Sequence, residues 1–157
     1  MNANRLLYLK EKDFVSISVT EKEVKNIYSI RSEINRIAKT YFFSIREYRK
    51  LVKKELNLAN KIPIYFSSTL LLFYINSKST LFWINYFMIL KICYEKNIFI
   101  FLQNGEVIEL EVSKRAFVRE LKKVNIVLNY VNNLWNDSVF IADLLDYFNW
   151  NNIFKVI

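Results

Sequence analysis

A chain of 157 residues with 53% apolar and 17% aromatic side chains has ample surface to bury, which excludes intrinsic disorder and fits one domain spanning residues 1–157. Lys and Arg number 23 against 15 Asp and Glu, a formal charge of +8 that favours polyanionic partners, although charge of that size also serves solubility and Lys is abundant in chains encoded by AT-rich genomes. Histidine is absent and Cys93 is the sole cysteine, so zinc sites, intramolecular disulfides and His-dependent nucleophiles are excluded, and a cytoplasmic setting is expected.

The first segments are β-like. Leu6 to Leu9 is a short apolar run, broken by Lys10, Glu11 and Lys12 in a way that no secretory signal would be. Phe14 to Val19 follows, with Val15, Ile17 and Val19 alternating against Ser16 and Ser18 as in a half-buried strand. From Ile30 the period lengthens. Ile30, Ile34, Ile37 and Tyr41, then Ile45, Tyr48, Val52 and Leu56, recur at steps of three and four, which predicts two amphipathic helices with a break near Tyr41-Phe42-Phe43.

Pro63 closes the helical pattern. Strands are expected at Ile64 to Phe66, Leu70 to Ile75 and Leu81 to Tyr94. Lys78 and the polar residues around it split Ile62 to Leu90 into apolar runs too short to cross a bilayer, so buried strands are expected and no membrane association. Ile98 to Leu102 and Val107 to Val112 flank Asn104-Gly105, the signature of a type I′ hairpin turn. Ser113 then caps a helix carrying Phe117, Leu121, Val124, Leu128, Val131 and Leu134 on one face, with Lys114, Arg115, Arg119, Lys122 and Lys123 on the others. A last helix is expected from Ser138 to Asn149. The fold class is therefore α+β, a mostly antiparallel sheet core with an Asn-Gly hairpin, packed with two to four amphipathic helices.

Little catalytic chemistry survives this inventory. The single glycine is committed to the hairpin, and phosphate-binding loops need at least two. Asp143 with Asp146, or Glu109 with Glu111, could in principle form an acid pair, but such spacings are the ordinary mark of a solvated face. Cys93 between Ile92 and Tyr94 reads as a small core residue. No enzyme activity, cofactor or metal is expected. The informative stretch is Arg31 to Lys61, where nine cations face three acids (Glu33, Glu47 and Glu55). A cationic helix face of this kind is what a phosphate-contacting surface requires, and equally what a solvated helix can carry.

Lys61-Ile62-Pro63-Ile64, Phe73-Tyr74 ahead of Ser77, Trp83-Ile84-Asn85-Tyr86 with Ile89, and Asn104-Gly105 leading to Ile108-Glu109-Leu110, Val112-Ser113 and Phe117 follow one another in an order and spacing that resemble the ComK family of bacterial competence transcription factors. Upstream, Arg49-Lys50 stands about where that family has a basic pair. Ile37 to Phe43 departs from the family's small residues and cysteine, and Phe73-Tyr74-Ile75 replaces an aromatic-Pro-Thr segment. The resemblance implies an activator of DNA-uptake genes that binds AT-rich boxes of double-stranded DNA through the minor groove as a homo-oligomer, with adaptor or protease regulators. Arg46, Arg49, Lys50, Lys53, Lys54 and Lys61 are the expected DNA contacts, chosen on the charge cluster. The alternative is a divergent paralogue that acts as a protein-interaction module or antagonist.

Overall fold

The computed structural model describes residues 4–136. The helix expected from Ser138 to Asn149, with Asp143 and Asp146, lies outside them. The described chain runs β1 (Leu6–Lys12), β2 (Val15–Thr20), β3 (Val24–Ile27), α1 (Ile30–Thr40), α2 (Ile45–Leu56), β4 (Ile64–Ser67), β5 (Leu70–Ser77) and β6 (Thr80–Asn85). A 3-10 turn (Tyr86–Met88) then leads to β7 (Ile89–Tyr94), β8 (Ile98–Leu102), β9 (Val107–Leu110) and α3 (Lys114–Asn136). This is the expected α+β class with antiparallel pairing throughout the described sheets.

Six strands form one sheet in the order β3-β2-β1-β6-β5-β4, and β7-β8-β9 form a second. The larger sheet is covered on both faces, so its central strands are apolar on both sides. Along β5, Leu71, Phe73 and Ile75 enter a core shared with Ile98, Ile100, Leu102, Ile108 and Leu110 of the small sheet and Phe117, Val124 and Val127 of α3. The alternate residues Leu70 and Leu72 join a second core with Ile30, Ile34 and Ile37 of α1 and Ile45 of α2. Each such side chain contributes roughly 1.5–3 kcal/mol by burial. This two-sided burial is why the stretch from Ile62 to Leu90 is so apolar. Among the described residues no helix is long and apolar enough to cross a membrane.

Three local features differ from expectation. The first is Leu81 to Tyr94, expected as one strand and found as two that belong to different sheets. Asn85, 1% exposed, ends β6. Its Oδ1 accepts from the backbone N–H groups of Leu71 (3.2 Å) and Phe87 (3.3 Å), and its Nδ2 donates to the carbonyls of Leu6 (2.9 Å) and Thr69 (3.1 Å). All of its amide groups are used, and the turn it caps carries the chain to the second sheet.

The second is the β8–β9 hairpin, which forms where expected but not with the expected turn. Leu102 and Glu106 close a three-residue loop, with Leu102 N–H donating to Glu106 O at 2.9 Å and Gly105 N–H to Leu102 O at 3.0 Å. Only Gly105 in this loop has a positive φ, of 90°. A type I turn followed by a left-handed glycine meets the strand twist with one such residue where type I′ needs two. Asn104 contributes through its side chain, accepting from Glu106 N–H at 3.0 Å.

The third is the β1–β2 connection. Lys12 pairs with Val15, and the two residues between them, Asp13 and Phe14, have φ of 51° and 64°. Two positive-φ loop residues are the type I′ signature, here on a dipeptide that does not announce it. The two sheets are tied by Tyr8, whose hydroxyl donates to Glu106 Oε1 at 2.5 Å. Burial, then the bond and charge of Glu106, raise the Tyr8 pKa above its ordinary value.

Candidate nucleic-acid interface

Helix α2 is built from its caps inward. Ser44 Oγ accepts from Glu47 N–H at 3.3 Å, and Asn57, in the left-handed region at φ 54°, donates its N–H to Lys53 O. The helix thus stops well before Pro63, which the sequence pattern suggested as its terminus. Its inner seam is Ile45 and Val52, both buried, with Tyr48 and Leu56 half-buried. Tyr48 fixes the helix to β4. Its hydroxyl donates to Pro63 O at 2.6 Å and accepts from Tyr65 N–H at 3.3 Å, and burial pushes its pKa up to about 12. Edge-on rings at the entrance, Phe43 with Tyr48 and Phe43 with Phe66, hold the connection from α1 in place.

With that seam docked, the remaining circumference of α2 faces solvent. Arg46, Arg49, Lys50, Lys53 and Lys54 are all exposed. Lys50 lies 3.6 Å from Glu47, an exposed pair worth little in water. Arg46, Arg49, Lys53 and Lys54 have no ion-pair or hydrogen-bond partner among the described residues. At about 100° per residue the order around the exposed arc is Arg49, Lys53, Arg46, Lys50, Lys54, then Glu47, Leu51, Glu55. The five cations form one lane and the two acids another.

Lys61, the sixth expected contact, stands apart. It lies in the loop between α2 and β4 at φ 52°, and its Nζ sits 4.9 Å over the Tyr74 ring. The same loop is pinned from the other side by Lys123 of α3, which donates to Asn60 O at 3.2 Å and pairs with buried Glu120 at 3.2 Å. Lys123, expected off the apolar face of α3 with the other cations, is a strut between α3 and this loop. Of the other cations in the basic stretch, Arg36 is paired with Glu33, while Arg31 and Lys39 are exposed.

The remaining sequence candidates have structural surroundings. Glu109 accepts from Asn97 Nδ2 at 2.8 Å, and Glu111 pairs with Lys78 at 2.8 Å. Cys93 is half-buried in β7, opposite Phe99 of β8. No group of three metal-ligating side chains occurs among the described residues.

No protein-family model matches this chain, and no curated protein matches it. Among solved structures it is similar to the LytTr DNA-binding domain of a methyl-accepting/DNA response regulator from Bacillus cereus. The identity is 16% and the TM-score 0.39, over 76% of this chain and 81% of that one. A superposition this loose transfers nothing from that domain to this chain.

Proposed function

We infer that this chain is a transcription regulator that binds double-stranded DNA, with the cationic lane of α2 lying along the phosphate backbone. The observation that carries the reading is the set of five exposed cations on a helix capped at both ends, four of them without an internal partner. Held on a docked helix, whose backbone is already ordered, they can displace condensed counterions from DNA without folding of the segment on binding. Arg46 to Lys54 spans about 12 Å of helix, enough to follow several phosphates of one groove wall.

The resemblance to ComK supplies the finer part of the reading: AT-rich promoter boxes, activation of DNA-uptake genes, assembly as a homo-oligomer and no catalysis. A-tracts suit such a surface, because their narrow, strongly negative minor groove attracts Arg and Lys. In this fold Trp83, Asn85, Gly105 and Phe117 shape the core and its turns. The residues that carry the resemblance therefore build the frame that holds α2, and the contacts lie on α2 itself.

A titration of AT-rich against GC-rich duplex at two salt concentrations tests this. Affinity should favour the AT-rich duplex and fall steeply with salt. Changing Arg49, Lys50, Lys53 and Lys54 to Ala should flatten the slope of log K against log salt by about 3 to 4. Unchanged binding by that variant removes α2 as the contact. A second reading, a protein-interaction module, draws on the exposed Phe14, Val15 and Tyr28, which flank the Ser16–Ile27 end of the β2–β3 pair. It requires complex formation with a protein and no duplex affinity in the same titration.

A further inference from the structure

The first three turns of α3 carry a second cationic face. Arg115, Arg119 and Lys122 are spaced i, i+4, i+7, within about 60° of one another around the helix. They lie directly opposite the buried side formed by Phe117 and Val124. All three are exposed, and they line a depression together with Ser113, Ala116 and Val118. The carboxylate near them is Glu120, 3.7 Å from Arg119 Nε, but it is buried and committed to Lys123. Arg115 and Lys122 have no ion-pair or hydrogen-bond partner among the described residues.

The face also runs against the local electrostatics of the helix. The first turn of α3 has no acidic residue and carries Lys114 and Arg115, where the helix dipole favours carboxylates. Lys114 is taken up by Tyr94, its Nζ 5.1 Å over the ring. Arg115 has no such compensation. A local rule broken without an internal gain points to an external anion.

This face does not merge with the lane on α2. Helix α2 docks Ile45 into the core that holds Leu70 and Leu72, on one face of the larger sheet, whereas α3 docks Phe117, Val124 and Val127 into the core that holds Leu71, Phe73 and Ile75, on the other. The cations of each helix are exposed, outside its docked side. Two cationic faces on helices docked to opposite faces of the larger sheet suit two lengths of DNA better than one straight duplex.

We propose that Arg115, Arg119 and Lys122 of α3 form a second duplex-phosphate contact, so that one chain holds two DNA segments. The proposal rests on the DNA-binding reading above. The test is a stoichiometric titration, at low salt, of the full chain with duplex of about 12 base pairs, a rod too short to bend around both faces. The wild type should take up two duplexes per chain. The variant Arg115→Gln, Arg119→Gln, Lys122→Gln should take up one, as should the α2 variant, and the two combined none. Exchanging Arg115 and Arg119 for Lys and Lys122 for Arg should restore the second. Because the changed side chains are exposed, the helical signal of each variant should equal that of the wild type.

If the wild type binds no duplex, the DNA-binding reading itself fails. If it binds one and the α3 variant binds identically, that reading stands and the second contact is overturned. An α3 variant that keeps DNA stoichiometry but loses binding to anionic vesicles also overturns it, and assigns the face to a membrane surface.

Discussion

Asn85 shows how one polar side chain can settle a topology. It is buried at the point where the chain leaves one sheet for the other, and its four hydrogen bonds join the ends of β1 and β5 to the turn. Replacing Asn85 with Ala leaves two backbone N–H groups and two carbonyls in a dry site without those partners. The expected loss is about 2–4 kcal/mol, read as a lower urea midpoint with an unchanged m-value. A midpoint within error of the wild type would mean that water or a shifted backbone satisfies those groups. The sequence pattern gives no hint of this role, because an Asn inside an apolar run has no periodic signature and its partners are tertiary. Lys123 is the same kind of case. The helical period places it off the apolar face with the other cations, and only the position of Asn60 shows that it braces the loop before β4.

At the scale of elements, legibility tracked length and period. Helices α1 and α2 could be read because Ile30, Ile34, Ile37, Ile45 and Val52 repeat over several turns and all prove buried. The lane of cations on α2 was readable for the same reason, since docking the apolar seam leaves the charges outside. The four-residue β3 was invisible, with three of its four residues exposed and its existence owed to pairing with β2. Turn chemistry could be read only in part. Asn104-Gly105 marked a hairpin, yet the type I′ geometry fell on Asp13-Phe14. Phe14 there is fully exposed and gains no packing for a left-handed backbone that costs a non-glycine residue roughly 1–2 kcal/mol. Phe14→Gly should therefore raise the thermal midpoint by a few degrees. A fall would show that the ring is covered by something in solution.

At the scale of the whole molecule, pH exposes how much of the tyrosine content is structural. Burial raises the pKa of Tyr48 to about 12, and those of Tyr8, Tyr65, Tyr74 and Tyr130 also lie above the ordinary value of 10.0. A proton held more tightly in the folded state stabilises it fully below the unfolded pKa and is lost as pH rises through the folded one. Stability should be level from neutrality to about pH 9, then decline from pH 10 to 12. Urea midpoints at pH 8 and pH 11 measure this, and Tyr48→Phe should shrink the difference between them. Equal midpoints for the wild type would contradict the burial of these hydroxyls. Such a global response follows from packing, so composition alone, with its 10 Tyr, could not place it.

The pairing of β1 with β6, Tyr8 opposite Ile84 and Lys12 opposite Thr80, sets a condition on synthesis. The hairpin of β1 and β2 leaves the ribosome with one edge of β1 open, and the strand that closes it is some 70 residues behind. At about 5–20 residues per second the nascent chain waits several seconds with Leu7 and Leu9 uncovered. An edge left open that long can pair with another chain, and slow codons between β3 and β6 should lower the soluble yield on expression without changing a single amino acid.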